Sequence, residues 1–139
     1  MTRLFASLLL VFAGAAAAQN SNPLPMPHPK ALELADSRCD DLAFSANNKK
    51  LGEACKRDNH RGFDELSSLR NDPEIRIDFW AACQDAVGFR ASANYLGWAQ
   101  CARFVRTSCP ASSVASDDDK RRCLRAIQSG GWILNSSVR

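Results

Sequence analysis

Six cysteines, at positions 39, 55, 83, 101, 109 and 123, follow an export signal in this 139-residue chain, and that pairing restricts the fold more than any other feature. Met1 to Ala18 holds Arg3 near its start, an apolar run from Leu4 to Phe12 and the small residues Ala16-Ala17-Ala18. This order predicts a secretory signal peptide over 1–18, cut ahead of Gln19; the apolar run is too short to span a bilayer. An even number of cysteines in an exported chain predicts three disulfides, and even parity leaves no spare thiol for a nucleophile. Zinc wants closely spaced pairs, whereas the tightest interval here, Cys101 to Cys109, encloses seven residues and only His28 and His60 could assist. No metal and no cofactor are expected. Six cysteines allow fifteen connectivities, and spacing alone does not choose among them.

Cleavage leaves 121 residues with 17 basic and 15 acidic side chains. A nucleic-acid binder needs a strong basic excess, so this near balance and the export signal exclude that class. A chain of this length buries roughly two-thirds of its unfolded surface, enough for one core. Residues 30–139 are therefore expected to form a single helical domain, preceded by a flexible proline-rich leader over 19–29 (QNSNPLPMPHP) in which His28 is solvated. After signal cleavage no transmembrane segment remains.

From Lys30 the apolar residues recur at helical spacing, with Leu32, Ala35, Cys39, Leu42 and Ala43 on one side. Ser45 to Asn48 breaks the pattern, and a shorter helix then carries Leu51, Ala54 and Cys55. The polar run Lys56 to Gly62 reads as a loop, followed by one or two helical turns through Phe63, Leu66 and Leu69. Asp72 has the character of an N-cap, with Pro73 at the first helical position and Glu74 at the positive end of the dipole. Ile75, Phe79, Cys83 and Ala86 line that helix, and Gly88 stops it in a left-handed conformation. The next helix has Trp98, Cys101, Ala102 and Val105 on its apolar side, Phe104 at the edge, and Gln100, Arg103, Arg106 and Thr107 opposite, ending before Pro110. Ser116 caps a last helix in which Asp117, Asp118 and Asp119 meet the dipole; Cys123, Leu124, Ala126 and Ile127 face inward, and Gly130-Gly131 ends it. Trp132-Ile133-Leu134 are expected to tuck into the core. The fold class is all-α: a small disulfide-stapled helical bundle of about five helices built from helical hairpins.

Two of the hairpins resemble each other, Cys39…Phe44-Ser45-Ala46-Asn47…Leu51-Gly52…Cys55 against Cys83…Phe89…Ser92-Ala93-Asn94…Leu96-Gly97…Cys101. If the likeness is structural, each cysteine pair flanks its own turn. That favours Cys39 to Cys55 and Cys83 to Cys101, leaving Cys109 to Cys123. Cys101-x7-Cys109-x13-Cys123-Leu124 also resembles one unit of the cysteine-rich repeats of Golgi-type glycoprotein ectodomains over about 24 residues, without the fourth cysteine expected near Asn135.

No Gly-x-Ser-x-Gly, His-Glu-x-x-His or phosphate-loop pattern occurs. Carboxylate neighbours such as Asp40-Asp41 and Asp64-Glu65 would face different directions on a helix, so no catalytic residues and no enzyme are expected. Arg103, Arg106, Arg121 and Arg125 are the candidate partner-binding residues, forming a basic face for an acidic or envelope protein if the serine-rich turn folds the chain back. The functional expectation is a secreted or periplasmic non-enzymatic binding protein, inhibitor-like or immunity-like, acting by protein–protein recognition. The alternative is a carrier whose aromatics Phe79, Trp80, Phe89, Tyr95, Trp98 and Phe104 line a cavity for a small apolar ligand.

Overall fold

Seven helices run through the described residues: α1 (Lys30–Ser45), α2 (Lys49–Leu69), α3 (Ile77–Ala86), α4 (Phe89–Ser92), α5 (Tyr95–Ser108), α6 (Asp117–Gln128) and α7 (Gly131–Ser136). The computed structural model describes 22–110 and 115–136, and side chains only as far as Ile133. The signal peptide, residues 19–21, most of the serine-rich connection and the Leu134 side chain lie outside the described residues. The all-helical, disulfide-stapled class holds, and the additional helices are the short α4 and α7.

Three disulfides join neighbours in sequence, Cys39 to Cys55, Cys83 to Cys101 and Cys109 to Cys123, with Cα–Cα distances of 5.5 to 5.6 Å. Each closes one helical hairpin, and each hairpin is built to a common rule at its second helix. Asn48 accepts from the amide of Leu51, Asn94 from that of Gly97 and Ser116 from that of Asp119, so all three caps reach the third residue onward. The cysteine stands seven residues beyond the cap in every case, at Cys55, Cys101 and Cys123. Seven residues are about two turns, which returns the thiol to nearly the direction of the cap. The likeness between the first two hairpins is therefore structural, although its register pairs Asn48, not Asn47, with Asn94. Asn47 and Ala93, immediately before those caps, both have positive φ, 48° and 49°.

The readings of Lys56 to Gly62 and of Asp72 are corrected. The polar run from Lys56 to Gly62 is helical, so α2 continues unbroken for 21 residues. What holds it is tertiary: Asn59 and Gly62 are buried where α5 begins, and a Cβ on Gly62 would lie 2.4 Å from the backbone of Tyr95 and Leu96. Nor does Asp72 cap α3, which starts at Ile77 behind an extended Arg76. Asp72 instead closes a tight turn after α2, its side chain accepting from the amide of Glu74 at 2.9 Å and its carbonyl from that of Ile75 at 3.2 Å.

α5 runs parallel to α2, because Tyr95 meets Asn59, Arg103 meets Glu65 and Arg106 meets Asp72 in ascending order. α3 lies beside α5, α6 packs chiefly on α3, and α7 closes over α5 and α6. Trp80, Trp98, Tyr95, Phe79, Leu66 and Ile127 fill the centre. Within the stretch read as a solvated leader, Leu24 is buried, its amide donates to Arg70 O at 2.8 Å, and Trp80 Nε1 donates to Pro25 O at 2.8 Å, while Pro23, Pro25, His28 and Pro29 are exposed. A buried indole N–H needs an acceptor, and a proline-rich strand without regular partners has free carbonyls to offer. Trp132 is buried as expected, while Ile133 remains half exposed.

Candidate recognition surfaces

Arg103 and Arg106 project from α5 towards α2 and the turn after it. The Arg103 guanidinium donates from Nε and Nη2 to the two oxygens of Glu65, 2.6 Å each, in a two-point grip. Arg106 Nε lies 2.7 Å from Asp72 Oδ2, and that carboxylate is mostly covered. Beside Arg106 an open depression of about 400 Å³ is lined by Ser68, Leu69, Asn71, Asp72, Pro73 and Glu74. Both arginines remain about half exposed.

Arg121 pairs with Asp118 one turn back on α6, as Lys120 does with Asp117 at 3.2 Å and Arg122 with Asp119 at 3.7 Å. Arg125 is exposed near the end of the same helix. Since α6 rests mainly on α3 while Arg103 and Arg106 lean on α2, the four arginines fall into two groups carried by different contacts. Charge reversal at Arg103 or Arg106 would also set a carboxylate against Glu65 or Asp72, so those side chains contribute to the fold as well as to the surface.

Where the sequence suggested a loop, the helical path of α2 makes a polar seam with α1. Asp36 Oδ2 lies 2.9 Å from His60 Nε2, and Asp40 holds Lys56 at 2.7 Å. The hydrogen bond that the Lys56 ammonium donates to Asp40 is the main reason it is held above its ordinary pKa. Arg38 donates to the carbonyl of Ala91 at 2.7 Å, tying α1 to the α4 turn.

The far end of this hairpin is apolar. A Cβ on Gly52 would stand 2.6 Å from Ala43 Cβ, so α1 and α2 touch there. Leu42 and Phe44 flank Ala43, and Leu51 precedes Gly52; these three are 43%, 90% and 39% exposed. Leu42 thus departs from the inward position its spacing suggested, because α5 begins only at the level of Asn59 and nothing described covers the hairpin above it.

The aromatics fill the space between the helices with one another. Trp80 and Trp98 have ring centroids 5.1 Å apart, and Phe89 sits 4.8 Å from Tyr95 and 5.0 Å from Trp98. Phe79 is fully buried and Phe104 half buried. Among the described residues no three of His, Cys, Asp and Glu converge as metal ligands, and every cysteine is in a disulfide. No described helix is long and apolar enough to cross a membrane. Three disulfides fit a chain that folds outside the reducing cytoplasm. No protein-family model, curated protein or solved structure matches the chain.

Proposed function

We propose that this protein is an exported, non-enzymatic binding module, inhibitor-like or immunity-like, that works in the periplasm or outside the cell by occluding another protein through the α2–α5 face. The observation that carries the reading is the fixing of Arg103 and Arg106 by Glu65 and Asp72 at the edge of an open depression. A side chain ordered before binding loses less entropy on binding, and arginine is among the residues that dominate interface energies. Each guanidinium has five N–H donors, and those not used internally call for acceptors, which suits an acidic or envelope protein. Arg121 and Arg125 on α6 stand outside this surface.

The test is a comparison of the mature protein with its Arg103→Gln/Arg106→Gln variant. Glutamine removes the charge without opposing Glu65 or Asp72. Envelope proteins captured by the wild type are identified, purified and measured singly; the expected result is slower association for the variant at low salt, with the difference shrinking as salt is raised. Equal association of the two proteins with every purified partner would remove the α2–α5 face from consideration.

A further inference from the structure

The α1–α2 tip lies at the opposite end of α2 from the Arg106 depression, about 30 Å away along a 21-residue helix. It combines features that the recognition surface above does not use. Phe44 is 90% exposed, although it sits on a helix whose last turn is hydrogen-bonded through Ala46 and Asn48 to Leu42 and Ala43. From Leu42 to Gly52 there is no acidic residue, while Lys49 and Lys50 open α2. The Lys49 side chain is 91% exposed, with Glu53 only at 3.8 Å. Asp41 and Glu53 flank this stretch, Glu53 on the same helix as the two lysines, and lower on the hairpin Asp40 is paired with Lys56 at 2.7 Å.

We propose that this tip docks on an anionic lipid bilayer, Phe44 entering the zone between headgroups and acyl chains with Leu42 and Leu51 at its sides, and Lys49 and Lys50 lying against the phosphates. The shape favours lipid over protein. A stable protein interface uses roughly 20–30 residues a side, whereas the tip is a convex end of eleven residues, Leu42 to Gly52, which a fluid bilayer accepts without a matching socket. The tip also stands on the order of 15 Å beyond the point where α5 meets Asn59, so it can reach a surface ahead of the bundle. Cys39–Cys55 and the Asn48 cap hold it in shape, and no segment has to fold on arrival. One aromatic and two lysines give two weak signals acting together, the combination that produces reversible attachment.

Flotation of the mature, disulfide-intact protein with vesicles tests this, comparing phosphatidylcholine alone with phosphatidylcholine containing about one-third phosphatidylglycerol. Binding is expected to the mixed vesicles and to weaken as salt rises. Phe44→Ser should lower the partition coefficient about tenfold, since it removes most of the apolar area, and Lys49→Gln/Lys50→Gln should lower it by about tenfold or more. Phe44 and both lysines are exposed, so circular dichroism of each variant should match the wild type. A Phe44→Trp variant should shift its emission to the blue on the mixed vesicles. The proposal is overturned if the wild type fails to float, if it floats equally on both vesicle types, or if Phe44→Ser floats as well as the wild type. It is equally overturned if the protein forms a dimer that Phe44→Ser dissolves, because a second copy then covers the tip. Arg103 and Arg106 are intact in all these proteins and no partner protein is present, so the outcome is independent of the α2–α5 reading.

Discussion

Asn59 Oδ1 accepts a hydrogen bond from the backbone N–H of Tyr95 at 3.2 Å, so a polar residue in the middle of α2 caps the first turn of α5 from outside. The amide of Tyr95 has no partner within its own helix, and its one other contact is the three-residue turn through Asn94 to Ala93 O at 3.0 Å. The Asn59 amide nitrogen is placed 3.5 Å from Cys39 Sγ, which links this seam to the first disulfide. One turn onward, the missing side chain of Gly62 lets the two backbones approach.

Asn59→Ala is accordingly expected to cost about 1–3 kcal/mol, the penalty for leaving a buried N–H poorly satisfied. Urea unfolding should show a lower midpoint with an unchanged slope. A midpoint equal to that of the wild type would mean that α5 is seated by its apolar contacts alone.

Tyr95 invites the opposite experiment. It is fully buried, and its hydroxyl is without a hydrogen-bond partner among the described residues. Tyr95→Phe keeps the ring contacts with Phe63 and Phe89 and removes the orphaned oxygen, so stability should be unchanged or rise by about 1 kcal/mol. Burial also raises the phenol pKa above its ordinary value. The neutral phenol of the folded state therefore contributes stability that is complete below the ordinary tyrosine pKa and is lost as pH climbs from there through the raised value. Because Tyr95 is the only tyrosine, absorbance at alkaline pH reports it directly, and ionisation should coincide with unfolding. Ionisation of the folded protein at the ordinary tyrosine pKa would contradict this.

Asp78 carries the acid side of the pH dependence. Arg76 donates to both its oxygens, at 2.9 and 2.8 Å, and this pair holds the carboxyl below the usual aspartate range despite partial burial. A depressed carboxyl stabilises the fold fully above its unfolded pKa and ceases to do so as pH falls through the lowered folded value. Melting temperature should thus fall between the ordinary aspartate range and the lowered value, and Asp78→Asn should flatten that part of the curve. The effect is modest because the pair is partly exposed. An Asp78→Asn curve parallel to the wild type would place the acid sensitivity elsewhere.

Much of this architecture is local and was legible in the chain. Gly88 takes the left-handed conformation and Ser116 caps α6, since those preferences belong to single residues and their immediate neighbours. Trp98, Cys101, Ala102 and Val105 are buried together on α5, as their helical spacing requires. The cysteine pairing is the one that a structural likeness of two hairpins would favour among fifteen, and sequential bridges need only a turn between their helices.

Tertiary structure decided whatever depended on a distant neighbour. Lys56 to Gly62 looks like a loop by composition, yet the helix continues because α5 arrives to bury Asn59 and Gly62. The proline-rich stretch looks solvated until Trp80 supplies a donor for Pro25 O and Leu24 finds the core. Arg103 and Arg106 read as a free basic face; Glu65 and Asp72, 38 and 34 positions earlier, turn them into a held one. Leu42 follows the apolar period of α1 and still faces water, since periodicity records which side of a helix is apolar and not how far the neighbouring helix extends.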